Sequence, residues 1–257
     1  MPLADLPLRA ASSASLVLLP VLLAQGRRVR RDTPRLPEAA GPREGVAPGA
    51  GPPFGLLVLG ESTAAGVGAA SHAEALSGQV ARALAGRTGR AVAWRVLGRN
   101  GATAESARRE LLAAADGVRA DVAVVALGVN DTLRFRAPGR WRRHLAELVE
   151  ALRGRCGPVP VVLAGVPPLG LFPALPQPLG AVLGLRARLL DRAAERLAGE
   201  LSGVRHVPMP ALDAAAVEAF FCEDGFHPSV RGYAAWAEAL AGAAARFFRT
   251  AEGDASA

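Results

Sequence analysis

One serine, one histidine and one aspartate in this chain stand where they could carry out acyl chemistry together. Ser62 lies in Gly60-Glu61-Ser62-Thr63-Ala64-Ala65-Gly66, directly after an apolar run. A serine hydroxyl is a weak nucleophile at neutral pH and requires a base within hydrogen-bond reach. His227, in Asp224-Gly225-Phe226-His227-Pro228, is the candidate base, because imidazole titrates near the working pH. Asp224, three residues earlier across Gly225, can present its carboxylate to the other ring nitrogen. That contact would fix the tautomer and stabilise the imidazolium. The tetrahedral intermediate also needs donors aimed at its oxyanion. The candidates are the backbone N–H groups of Ser62 and Gly101 and the side-chain amide of Asn130. Each such donor is typically worth roughly 3–4 kcal/mol to the transition state.

These residues need a scaffold that gathers them, and the pattern from residue 54 onward provides one. Short β-type runs at Phe54–Leu59, Val92–Leu97, Val122–Leu127, Val159–Ala164 and Val204–Val207 alternate with helical stretches at 72–86, 103–115, 139–153 and 181–201. A last helix is expected at 230–248. The runs VAVVAL and VPVVLA are continuously apolar, as parallel strands covered on both faces require. Strand–helix alternation of this kind predicts a three-layer α/β/α sandwich with a mostly parallel, flavodoxin-like sheet of five strands. Ligands in such folds gather at the carboxyl ends of the strands. Ser62, Gly101 and Asn130 each fall just past a strand, and the Asp224/His227 pair just before the last helix.

The four blocks together resemble the SGNH hydrolases of the GDSL-like lipase/acylhydrolase family, named for a Ser, a Gly, an Asn and a His in separate blocks. Gly60-Glu61-Ser62, Gly101, Gly128-Val129-Asn130-Asp131 and Asp224-Gly225-Phe226-His227-Pro228 match in order, within a resemblance that covers about residues 54–248. The resemblance implies a serine esterase acting on simple acyl or lipid-derived esters, with no metal or organic cofactor. The chain departs from the family's pattern at Glu61, where Asp is usual; that residue has no proton-transfer role in the family's scheme. An α/β-hydrolase is a poorer fit, because its nucleophile sits in G-x-S-x-G with the acid and base on separate loops. An acyltransferase or a carbohydrate deacetylase could use the same triad, and product analysis with added alcohols or acetylated sugars would separate them. A non-catalytic, membrane-tethered binding module would be expected to have lost Ser, Asn or His from the blocks, and none is lost. Asp131 is expected to cap a turn and stays outside the catalytic set.

Composition narrows the rest. All 30 positive residues are Arg, so mechanisms that need Lys are excluded. The net charge of +7 is spread among Ala, Leu and Glu without a basic stripe interleaved with aromatics, so no nucleic-acid partner is expected. Cys156 and Cys222 do not make a disulfide framework, and His72, His144 and His206 show no partner pattern.

Residues 54–250 are the expected hydrolase domain, preceded by an apolar segment (1–26) and a Pro/Gly/Arg-rich linker (27–53), and followed by a tail (251–257). The apolar run at 10–25 is followed at once by Arg27, Arg28, Arg30 and Arg31, and Pro20 interrupts it. It is shorter than the ~20 residues a comfortable span requires. Three readings are open. Residues 10–31 could contact a membrane surface as a short anchor with the domain on the cytoplasmic side, which the following positive charge favours. They could be an atypical export signal, or a helix docked on the protein itself. Finally, Val166–Gly180 follows the fourth strand, and its Leu169, Leu171, Phe172 and Leu175 are candidates for an acyl-binding lip near Ser62.

Overall fold

Continuous apolar runs make strands that are buried on both faces, and they occupy the middle of this molecule. Val122–Ala126 and Val161–Ala164 are buried along their whole length, and so are Leu56, Leu57, Val58 and Leu59. A computed structural model describes residues 15–254. Residues 1–14 of the expected anchor segment and 255–257 of the tail lie outside the described residues.

The sheet has six strands, one more than the apolar runs predict: β1 (Glu44–Ala47), β2 (Ala50–Gly60), β3 (Arg90–Gly98), β4 (Val122–Ala126), β5 (Val161–Ala164) and β6 (Val204–Val207). Their order is β1-β3-β2-β4-β5-β6, with β1 antiparallel to β3 and every other pair parallel. The extra strand, Glu-Gly-Val-Ala, falls in the segment expected to be a linker. It carries no β-pattern of its own and forms because the edge of β3 offers unpaired backbone groups to bond with. The supposed linker also contains the end of helix α1 (Leu19–Asp32) and the start of β2, so 27–53 is integral to the fold.

The remaining helices are α2 (Leu76–Thr88), α3 (Val129–Leu133), α4 (Pro138–Cys156), α5 (Leu179–Glu200), α6 (Ala214–Phe220) and α7 (Val230–Asp254). Residues 104–115 turn through successive α-, π- and 3-10 geometry rather than one regular helix. Helix α2 packs against α7, and α4 packs against α5 and the 104–115 stretch. Helix α1 lies on α5 with Leu22 buried, and its Gln25 side chain both donates to Gln177 O (2.6 Å) and accepts from Leu179 N–H (3.0 Å). Among the described residues no helix is long and apolar enough to cross a membrane.

This order opens a crevice at the carboxyl ends of the strands. From β2 the chain crosses first to β3 on one side and then to β4 on the other, so the loops after β2 and β4 diverge and leave a cleft between them. Residues 61–68 follow β2 and 127–131 follow β4. The end of β3 closes tightly on the first of these: a Cβ at Gly98 would lie 2.5 Å from Ala65 N, so only glycine fits there.

Candidate active site

The loop after β2 is held at both ends of Glu61. Glu61 N–H donates to Ala126 O on β4 (3.1 Å), and Glu61 O accepts from Ala65 N–H (2.9 Å). Ser62 follows at once, with its backbone carbonyl accepting from Val67 N–H (3.0 Å). The Glu61 side chain turns inward to the first turn of α3. Its Oε1 accepts from Val129 N–H (2.9 Å), and its Oε2 accepts from both Asn130 N–H (2.9 Å) and the Asn130 amide Nδ2 (2.5 Å). Burial pushes the Glu61 carboxyl up to about 7; the three donors oppose that rise and the nearby Asp131 carboxylate adds to it.

Asp131 does not cap its own turn, as the sequence suggested. Its fully buried carboxylate accepts from Ala104 N–H (3.0 Å) and from Arg136 Nε (3.4 Å). The start of the 104–115 stretch is thereby tied to α3. Arg134, at the end of α3, donates to Gly101 O (3.4 Å). The loop carrying Gly101 and the helix carrying Asn130 are therefore one bonded unit.

The candidate base, His227, lies in the loop between α6 and α7. His227 Nδ1 donates to Asp224 Oδ2 at 2.6 Å, and Asp224 Oδ1 accepts from the N–H groups of Phe226 and His227, each at 2.9 Å. Since a carboxylate can only accept, Nδ1 carries a proton, and in the neutral imidazole Nε2 is then the acceptor. Burial raises the Asp224 carboxyl, but the hydrogen bonds from the His227 ring and the two backbone N–H groups outweigh it, and the net shift is downward. The turn depends on Gly225, whose φ of +61° suits glycine and whose missing Cβ leaves room for Ala174 N, 3.0 Å from where it would stand. Tyr233 on α7 donates to Val67 O at 2.6 Å, which ties that helix, just after His227, to the loop carrying Ser62. Cys222 lies half-buried under the same loop, with Sγ 3.1 Å from both His227 O and Pro228 O. Burial, with Asp224 nearby, pushes its thiol up to about 11, so it stays protonated.

Ser62 and His227 line one narrow apolar crevice together with Val129, Phe172, Phe226 and Trp236. A wider groove between α2 and α7 is lined by Gln79, Arg82, Arg87 and Glu238, with no nucleophile, whereas the candidate nucleophile and base both line the smaller crevice. Of the four lip candidates only Phe172 reaches that crevice, where its ring meets Phe221 tilted and Phe226 edge-on, with centroids 4.8 and 5.1 Å away. Leu169 and Leu175 are buried in the core, while Leu171 is exposed. Of the other histidines, His206 has a partner after all: its Nε2 lies 2.8 Å from Asp191 Oδ1, which also accepts from Val166 N–H. Among the described residues no group of three or more His, Cys, Asp or Glu side chains is arranged to hold a metal ion.

Sequence reasoning missed the roles of Glu61 and Asp131. The available signal was an acid beside each functional residue, Glu61 before Ser62 and Asp131 after Asn130, in blocks otherwise made of small and apolar residues.

Residues 58–235 match the model of the GDSL-like Lipase/Acylhydrolase family. A GDSL-like esterase of Mycobacterium tuberculosis is 34% identical over 190 residues, which are 72% of this chain and 60% of that protein; the chain thus spans less than two thirds of that relative. Among solved structures, a lipase from a goat rumen metagenome superimposes with a TM-score of 0.58 at 20% identity, covering 74% of this chain and 97% of that one. A carbohydrate acetylesterase from Sinorhizobium meliloti gives 0.56 at 18% identity, covering 76% and 99%. At these identities the two structures establish the shared fold.

Proposed function

Because this chain belongs to the GDSL-like lipase/acylhydrolase family, we propose that it hydrolyses carboxylic esters by two-step acyl transfer to water. The observation that carries this reading is the 2.6 Å contact between Asp224 and His227, in a loop whose histidine shares a crevice with Ser62. Ser62 Oγ attacks the ester carbonyl while His227 Nε2 takes its proton. The imidazolium, held by Asp224, then returns that proton to the leaving alcohol, and His227 activates water to release the acid. The N–H groups of Ser62 and Gly101 and the Asn130 amide receive the oxyanion. Since the crevice beside Ser62 is narrow and walled by aromatic rings, short acyl chains are the preferred substrates.

The test is hydrolysis of a p-nitrophenyl ester series from acetate upward, with wild type beside Ser62→Ala. Loss of activity in the mutant is expected; equal activity in both proteins would overturn the assignment of Ser62.

A lipid surface is the second partner we propose, on a separate observation. Val17, Leu18, Leu19, Val21 and Leu23, at and just before the start of α1, are exposed, and Arg27, Arg28, Arg30 and Arg31 follow on the same helix, also exposed. An apolar patch beside a basic cluster suits an anionic bilayer interface.

A further inference from the structure

An amide side chain serves as an oxyanion donor only if it is already oriented when the charge develops. Asn130 has two N–H bonds on Nδ2. One is directed at Glu61 Oε2 at 2.5 Å, which leaves the other for a substrate. The same carboxylate holds the Asn130 and Val129 backbone N–H groups, so a single side chain sets both the start of α3 and the plane of the amide. Glu61 is itself anchored by its backbone to β4 and to Ala65, and it is bonded in the chain to Ser62. Three donors converge on two oxygens, an arrangement that the ionised carboxylate, which can only accept, satisfies completely.

We infer that Glu61 is a positioning residue for the oxyanion hole, locking the Asn130 amide at a fixed distance from the Ser62 N–H through one anchored peptide. This rests on the reading of Asn130 as an oxyanion donor. The glutamate that departs from the family's usual residue thus bridges two parts of the site, because its side chain spans from the nucleophile's loop to α3. Glutamine at this position would present an NH2 group to one of the three donors. Either Val129 N–H or the Asn130 groups would then face another donor, and the amide would lose its fixed orientation.

The experiment is a double-mutant cycle, with kcat and KM for p-nitrophenyl acetate measured in wild type, Glu61→Gln, Asn130→Ala and the double variant. Loss of one oxyanion donor typically costs about 100- to 1,000-fold in kcat, which is the expectation for Asn130→Ala. Glu61→Gln should lower kcat by roughly 10- to 100-fold with KM nearly unchanged, because an interaction made only in the transition state is weakened. In the Asn130→Ala background the same change should cost less than about threefold, since residues acting through one contact are not additive. Glu61→Asp, which keeps the charge on a shorter arm, should recover part of the activity. Thermal melts identify any variant that fails to fold, and if Glu61→Gln fails, Glu61→Asp carries the cycle. Additive losses, a change in KM alone, or full activity in Glu61→Gln would overturn the inference while leaving Asn130 in place. Full activity in Asn130→Ala would overturn both.

Discussion

Replacing Asp224 by asparagine separates its proposed role in orienting the base from its contacts that hold the loop. The asparagine carbonyl can take the place of Oδ1 and keep the Phe226 and His227 N–H groups, both now at 2.9 Å, so the turn survives. The amide NH2 then occupies the position of Oδ2, 2.6 Å from His227 Nδ1, and two donors meet. The imidazole resolves that conflict by moving its proton to Nε2, the nitrogen that must accept from Ser62. Loss of tautomer and of imidazolium stabilisation together is worth about 10⁴-fold in kcat in a serine triad, or roughly 5 kcal/mol. The expected result is a fall of about 10³- to 10⁴-fold in the acylation rate of p-nitrophenyl acetate, followed by stopped-flow. A variant keeping more than about a tenth of wild-type rate would refute the reasoning, since that residual is far above what a wrong tautomer permits. Stability supplies the control. Asp224 is depressed in the fold, so its charge stabilises the protein above the ordinary carboxylate range, and that contribution is lost as pH falls through the folded value. The mutant should therefore melt below wild type at pH 7, and the gap should close in acid.

Glu61 runs in the opposite sense. Its folded pKa of about 7 stands above the ordinary 4.5, so its contribution to stability is complete below 4.5 and is lost as pH rises to 7. The difference is on the order of 3 kcal/mol and should disappear from urea midpoints in Glu61→Gln, whereas identical pH slopes in the two proteins would contradict it. Phe172→Ala removes a buried ring at the crevice and should destabilise the fold by about 3–5 kcal/mol. It should also shift preference from acetate toward butyrate, to which each added methylene can contribute about 0.8 kcal/mol; an unchanged chain-length profile removes Phe172 from the acyl site. Vesicles containing anionic phosphatidylserine should co-sediment wild type but not the Val21→Asp/Leu23→Asp variant, and equal sedimentation of both would dismiss α1 as the contact.

Much of the candidate site is legible in the chain itself, because the proposed chemistry demands particular residue types at particular places. Ser62, Gly101, Asn130 and the Asp224/His227 pair stand just past apolar runs or just before a helix, and the continuous apolarity of Val122–Ala126 marks a strand buried on both faces. A contact three residues apart, such as Asp224 with His227, is a local matter that loop geometry decides. Other features were decided only in three dimensions. Strand β1 has no pattern of its own and exists because β3 offers an edge. Helix α1 settles on α5 through Gln25 and Leu179, 154 positions apart. Glu61 meets the Asn130 amide across 69 positions, and Asp131 meets Ala104 N–H across 27. Periodicity and turn chemistry report how a segment relates to solvent and to its immediate neighbours. Which buried carboxylate satisfies which distant donor depends on the order of the strands, because burial of a charged group is tolerable only where packing supplies its partners.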